Sequence, residues 1–394
     1  MKIIQVSRLC STEEYQRVIP ENRYRTNQSI LKFSQVLTKG IVANGIESLV
    51  FSQRPVNRIN CPKKYLKSFD ESKDGVTYHY SRIFNLPVIN KVYPILASFF
   101  WMLFRKKEKE SYVLLDTYAL SLAVGTLLAC KMRGLPCIGV VTDIPGISTF
   151  TATAGKVGAK NRFNDWLIGK CDGFLLLTRQ MNEVINPKGK PAIVIEGFAD
   201  DALGEIENKL EEKTSPRTVM YTGALDVKYG LGMLVEGFLK ASIPDCQLVI
   251  YGGGGYAKEL EEISAKEETV VYGGTRPNEY VVDCQRRATL LVNPRFTDWE
   301  YTKYSFPGKN MEYAASGTPT LTTNIPGMPE EYKDHVFILE EETVEGMAKT
   351  LERIMAMPPE ELHAKGLEAK AWVLREKGAQ KQVERLASFL KEFY

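Results

Sequence analysis

Two runs, IGVVTD at 138–143 and FLLLT at 174–178, are almost continuously apolar, and they constrain the fold more than any other feature of the chain. A strand with one wet face alternates apolar and polar residues, whereas a strand apolar on both faces must be covered on both. The cover has to come from helices, and helical spacing recurs between the strand-like runs, at 30–44, Leu120–Arg133 and 162–170. Strands are predicted at Lys2–Ser7, Glu47–Ser52, 77–81, 112–116, 137–143, 173–178 and 192–196. Alternation of this kind predicts an α/β protein built on parallel sheets.

A chain of 394 residues is long for one core, so two domains of roughly 150–200 residues are expected. Composition turns polar and acidic at 200–214, ending at Ser215-Pro216, and a fresh strand follows. The pattern then repeats through TVMYTG, QLVIYGGG, TVVYGG, TLLVNP, PTLTTN and VFIL, with a helical tail at 358–377 and 380–393. The predicted organisation is a first domain at 1–200, a linker at 201–216, a second domain at 217–377 and a last helix at 378–394. No short repeat is present, so this is two similar folds and not a solenoid.

Composition removes several classes. A net charge of +3 without a long Lys/Arg run gives no reason to expect nucleic acid as partner. Seven scattered cysteines, none in a CxxC pair, and only three histidines (His79, His335, His363) argue against a disulfide framework or a zinc site. The opening MKIIQVS reads as a strand and not as a cleavable leader, which fits a reducing cytoplasm. No apolar run approaches the roughly 20 residues that span a bilayer. The longest, at 92–104, is closed by Arg105, Lys106 and Lys107. It is either a helix packed on a sheet with cations at its end, or an interfacial helix seated on the inner membrane leaflet.

In open α/β sheets ligands bind beyond the carboxyl ends of the strands. The second half places unusual residues there: Gly223 and then Lys228 after TVMYTG, Gly253 and Gly254 after QLVIYG, Thr275 and Arg276 after TVVYGG, and Arg295 after TLLVNP. Small residues let backbone N–H groups approach an anion, and helix N-termini add partial positive charge. A phosphate-bearing ligand follows. Gly252, Gly254 and Ala257 also satisfy a dinucleotide-type spacing. That fingerprint wants an acid at the end of the next strand, where this chain has Gly273-Gly274, so nicotinamide and flavin are disfavoured.

The segment SFPGKNMEYAASGTPTL at 305–321 is the most specific signal. Pro307 and Gly308 fit a tight turn, and 309–315 reads as a short helix capped by Gly317. Its N-terminal N–H groups and Lys309 can face a diphosphate, and Glu312, one turn on, can accept two hydrogen bonds from a ribose diol. The bland alternative is a solvated Glu312 and a surface Lys309.

With TGALDVKYGL, QLVIYGGGGY and FPGKNMEYAASGTPTL in that order, the chain resembles glycosyltransferase family four, of the type found in bacterial polysaccharide biosynthesis. The resemblance implies the GT-B fold, two Rossmann-like doubly wound domains facing across a cleft, with the last helix crossing back to the first domain. It implies a retaining transfer from a nucleoside-diphosphate sugar to a lipid-linked or polysaccharide acceptor, without a cofactor or metal. It also implies donor contacts from Gly223, Lys228, Gly253, Gly254, Thr275, Arg276, Arg295, Tyr304, Lys309, Glu312 and the turn Ser305, Phe306, Pro307, Gly308. The sequence departs from the family pattern at Tyr304, where the first Glu of a pair would fall, at Ala224 for an Arg, and at Tyr229 for a Lys.

The first domain is expected to take the acceptor. Within VVTDIPG, Asp143 either caps the following turn or orients and partly deprotonates an acceptor hydroxyl. Asn27 and Gln28, before the first long helix, are further acceptor-side candidates. Asp143 and Lys309 are the candidate catalytic residues. Two other classes stay open: a sugar-nucleotide epimerase or hydrolase on the same fold, and a catalytically silent partner subunit, the latter motivated by Tyr304.

Overall fold

The computed structural model describes residues 1–19, 28–106, 108–147 and 159–394, with the backbone alone at Gln28, Ala159 and Lys160. The chain divides into one unit of Met1–Phe198 with Ala379–Tyr394, and a second of Ala199–Gly378.

The first unit holds an eight-stranded sheet in the order Ala192–Val194, Gly173–Leu176, Cys137–Val141, Ser111–Asp116, Lys2–Ser7, Glu47–Ser52, Val76–Tyr80, Phe69–Lys73. All pairings are parallel except that of the edge strand Phe69–Lys73, which runs antiparallel to Val76–Tyr80. Every residue of Lys2–Ser7 is buried, as a central strand covered on both faces requires. Strand order reverses at Lys2–Ser7, so right-handed crossovers put the helices of the two halves on opposite faces. One face carries Gln28–Ala43 and Ala379–Phe393, whose Leu37, Ile41, Val383, Leu386 and Leu390 close over Ile3, Leu114 and Ile138. The other carries Leu120–Arg133, packed on Lys2–Ser7 and Ser111–Asp116, with Ile89–Phe104 laid against it. That pair of helices touches at Gly125, where a Cβ would come within 2.1 Å of the Ile95 carbonyl oxygen. Arg133 Nη1 then donates to the Met102 carbonyl oxygen at 2.5 Å, fixing the far end. The run 92–104 is therefore part of a 16-residue helix.

The second unit is a six-stranded, fully parallel sheet in the order Val270–Tyr272, Cys246–Gly253, Arg217–Ala224, Leu290–Asn293, Thr320–Thr322, Phe337–Ile338. Numbered within the unit this is 3-2-1-4-5-6, the doubly wound dinucleotide-fold order with a reversal between strands one and four. Leu231, Leu234, Phe238, Met347 and Leu351 cover one face. Residues 201–216 are not a free connector. They form two short 3-10 turns, Asp201–Glu205 and Leu210–Glu212, stitched into the second unit. Buried Asn208 donates to the Ser316 carbonyl oxygen (2.8 Å) and Thr318 Oγ1 (3.1 Å). Lys213 Nζ donates to the carbonyl oxygens of Arg286 and Ala288 at 2.8 and 2.9 Å. Asp201, Glu205, Glu207 and Glu211, which made the stretch look like a linker, are exposed, whereas Asn208 and Lys213 supply the anchoring donors.

Candidate functional site

The second sheet places its reversal between Gly223-Ala224 and Asn293, so a crevice opens where those two strand ends diverge. Gly223 sits there at φ +140°, and a Cβ on it would lie 1.6 Å from Lys309 Nζ. The absent side chain is what lets Lys309 lie across the strand end. Its ammonium donates to Tyr221 Oη at 3.1 Å and stands 4.6 Å from the centre of that ring. Tyr221, fully buried, donates in turn to the Ala224 carbonyl oxygen at 2.8 Å. Burial pushes the Lys309 ammonium down to about 7, Arg295 pushes it the same way, and Glu312 opposes both. A lysine in that condition gains most from an added anion.

Two further cations meet on one aromatic ring. Tyr229 has Arg295 Cζ 4.7 Å from its centre and Lys228 Nζ 5.1 Å from it, and Lys228 also pairs with Asp226 at 3.3 Å. Tyr229, at the position where the resemblance would put a lysine, thus serves as the platform that holds two cations. Lys228, Arg295 and Lys309 all belong to this one end of the sheet.

The helix that carries Lys309 runs Gly308–Ser316, one residue longer at each end than its spacing predicts. Its N-cap is Pro307, no side chain caps it, and it ends at Gly317 in the left-handed region. First-turn N–H groups are left to meet an anion. A buried amide chain aims the helix: Asn293 Nδ2 donates to Asn310 Oδ1 at 2.7 Å, and Asn310 Nδ2 to Thr322 Oγ1 at 3.3 Å. Glu312, one turn in, accepts from Gln285 Nε2 at 2.9 Å. Gln285 is fully buried and donates equally to Thr222 Oγ1 at 2.9 Å. The Thr222 N–H donates to Tyr313 Oη at 2.9 Å, locking helix to strand.

The remaining donor-side candidates are less uniform. Gly253 ends its strand and Gly254 follows it, both exposed, and a Cβ on Gly253 would meet Thr275 Oγ1 at 3.2 Å, so the strand end adjoins the Thr275 loop. Thr275 and Arg276 are exposed. Tyr304 closes the short 3-10 helix Glu300–Tyr304 and is half-buried. The Ser305 hydroxyl is buried without a hydrogen-bond partner. Phe306 does not present its ring to a ligand: it is buried in an apolar cluster, 4.8 Å from the Tyr332 ring, where it anchors the turn. Its aromatic bulk is used for packing.

On the acceptor side, Asn27 and the Gln28 side chain lie outside the described residues. The strand Cys137–Val141 stops two residues before Asp143, which sits in the following bend, half-buried and engaged. Asp116, overlooked in the sequence, ends the strand beside the reversal of the first sheet. Its carboxyl is raised above the usual range by burial, with Arg8 opposing, and its Oδ1 accepts from the Tyr118 N–H at 2.9 Å. It lines a cavity of about 20 Å³ with Gln5, Ser7, Ser34 and Thr142. The signal was available: LLDT repeats the pattern of an apolar strand ending in an acid that drew notice to VVTD. Tyr221, Thr222, Gln285 and Tyr313 were also missed. Only Gln285 left a trace, as an amide at an inward position of the helix Asn278–Arg287. The histidines stand elsewhere, His79 on Asp70 (2.5 Å) and His335 stacked on Trp372.

Comparison with known proteins bears on this geometry. Residues 204–372 match the family model described as "Glycosyl transferases group 1". Glycogen synthase of Mycobacterium tuberculosis is 26% identical over 207 residues, 48% of either chain, so the chain spans about half the length of the curated relatives it matches. Among solved structures, sucrose-phosphate synthase of Thermosynechococcus elongatus superposes with a TM-score of 0.69 over 100% of both chains at 13% identity. Anabaena HepE, solved with UDP and glucose, gives 0.63 over 98% of this chain and 99% of its own, at 12%. S. aureus TarM, solved with fondaparinux, alpha-GlcNAc-glycerol and UDP, gives 0.66 over 99% and 100%, at 12%. The chain has the GT-B fold, and its residues 204–372 match the glycosyl transferases group 1 family.

Proposed function

We propose that the protein is a retaining glycosyltransferase that moves a sugar from a nucleoside-diphosphate sugar to a lipid-linked or polysaccharide acceptor in bacterial cell-surface polysaccharide synthesis. The observation that carries this is the gathering of Lys228, Arg295 and Lys309 with an uncapped helix N-terminus at the reversal of the second sheet. A departing diphosphate gathers negative charge as the glycosidic bond breaks, and cations already in place stabilise it without reorganising. The same groups supply the charge a divalent ion would otherwise bring, so the proposed reaction invokes no metal. Glu312, held by Gln285, is assigned to the ribose hydroxyls, and the turn 305–308 to the sugar. Asp143, with Asn27 and Gln28, is assigned to the acceptor in the first unit. That HepE and TarM were solved with UDP supports a nucleotide at this kind of fold.

Incubation with a panel of uridine, guanosine, adenosine and thymidine diphosphate sugars tests the proposal. Slow hydrolysis of one donor, or transfer to an added glycan, supports it. Tight binding without turnover on any acceptor favours the silent partner, which Tyr304 motivates because no carboxylate stands at that position.

Gln285 gives a sharper test of the ribose assignment. Gln285→Leu leaves Glu312 without its buried donor, and loss of such a bond to a charged group is worth about 1.5–3 kcal/mol. Nucleoside diphosphate affinity should therefore fall about tenfold or more, and the preference for ribose over 2′-deoxyribose should fall with it. An unchanged preference, measured by titration calorimetry, removes Glu312 from the ribose.

A further inference from the structure

The helix Ile89–Phe104 leaves a line of large apolar side chains in water. Val92, Leu96, Phe100 and Phe104, spaced four apart, are 49%, 50%, 48% and 78% exposed, and Val88 just before the helix is 70% exposed. Packing of this helix against Leu120–Arg133 does not cover the line, and the second helix adds exposed Leu128 and Met132. A third helix, Ala159–Ile168, contacts the second and adds Phe163 and Trp166, stacked on each other at 5.8 Å and both about half exposed. All three belong to the first unit. A soluble surface rarely gathers so many large apolar groups unless something covers them.

The charges beside this face are mainly positive, although Asp165 lies on the third helix and Glu108 close to Arg105. The first two helices contain no Asp or Glu, and they carry Lys91, Lys131 and Arg133. Arg105 and Lys106 follow the first helix directly, Arg105 with its guanidinium 4.5 Å from the centre of the Trp101 ring. Arg162 is exposed on the third, Lys170 is exposed two residues past its end, and Asp165 is that helix's acid. A second copy of the chain would bring the same cations face to face, which disfavours self-association through this surface. An anionic lipid surface satisfies both halves of the pattern, since aromatic and aliphatic side chains enter the acyl boundary while flanking cations meet headgroup phosphates. Among the described residues no helix is long and apolar enough to cross a membrane.

We propose that this three-helix face of the first unit docks the protein peripherally on an anionic lipid bilayer. The proposal extends the interfacial reading of 92–104 from one helix to a surface, and it does not depend on the catalytic assignment.

Co-sedimentation with vesicles tests it. The wild-type chain should sediment with phosphatidylethanolamine–phosphatidylglycerol vesicles, less as salt rises, and not with phosphatidylcholine vesicles. The triple variant Leu96→Ser, Phe100→Ser, Phe104→Ser should lose binding by about tenfold or more. These side chains are 48–78% exposed, so its circular dichroism and melting temperature should match the wild type. The variant Lys91→Glu, Lys106→Glu, Lys131→Glu, which leaves the apolar groups in place, should lose a comparable amount. Failure of the wild type to sediment with anionic vesicles overturns the proposal, as does undiminished binding by both variants. A concentration-dependent dimer that the triple serine variant abolishes, without lipid binding, assigns the face to a second copy instead.

Discussion

Replacing Lys309 by alanine should cut turnover by about a hundred- to a thousandfold while barely moving the melting temperature. On the proposed assignment the size follows from removing a preplaced charge that would meet the leaving diphosphate, an effect of the kind measured when an oxyanion donor is deleted. The small stability change follows from the cost of holding the ammonium where it is: burial and Arg295 together bring its pKa down to about 7. A large stability loss with activity retained would show that Lys309 serves the fold and not the reaction. The same pKa gives a second readout. An added diphosphate raises the ammonium's pKa, so binding takes up a proton wherever the free protein has lost it. Affinity for the sugar nucleotide should be greatest below pH 7 and should fall as pH rises above it, by up to about tenfold per unit. Lys309→Arg, which keeps its charge, should flatten that profile. A profile as steep in the arginine variant as in the wild type removes Lys309 as its source.

Glu14→Leu should destabilise the first unit by about 3–5 kcal/mol, the usual result of leaving one member of a buried ion pair alone. Arg54 and Glu14 are 1% and 3% exposed and meet at 3.1 Å, Nη1 to Oε1. Arg54 Nη2 also donates to the carbonyl oxygens of Lys67 and Ser81, both at 2.7 Å. The guanidinium thereby ties the helix Thr12–Val18 to chain segments that follow three different strands. Without Glu14 it remains charged and buried. Arg54→Met should be milder, because Glu14 keeps Arg17, whose Nε and Nη2 donate at 2.5 and 2.8 Å. The double variant should therefore be more stable than Glu14→Leu alone. Urea unfolding, with hydrogen exchange to locate the loss, measures all three. A double variant no better than Glu14→Leu would place the loss in shape and not in stranded charge.

Much of the architecture was legible because apolar continuity reports burial directly. Lys2–Ser7, Glu47–Ser52 and Leu120–Arg133 stand in the structure with their predicted ends. The helix at Lys309 and Glu312 was readable for a similar reason: Pro307, Gly308 and Gly317 act on the backbone next to them. What escaped depends on partners far away in sequence. Gln285 reaches Thr222 across 63 residues, and Arg54 reaches Glu14 across 40. Asn208 and Lys213 pin the supposed linker to residues more than 70 positions on. Phe306 shows the converse difficulty, since an aromatic residue inside a motif read as a ligand site carries no mark that says whether its ring faces outward or into the core.

The boundary at Gly378 separates two helices that belong to different units, Pro359–Lys377 and Ala379–Phe393. The first unit is therefore assembled from both ends of the sequence. On the ribosome, residues 1–198 must wait for the whole of the second unit to be made before the helix that covers Leu37 and Ile41 emerges. During that interval an apolar surface that the finished molecule hides is open to solvent and to chaperones. The second unit, contiguous in sequence, faces no such delay.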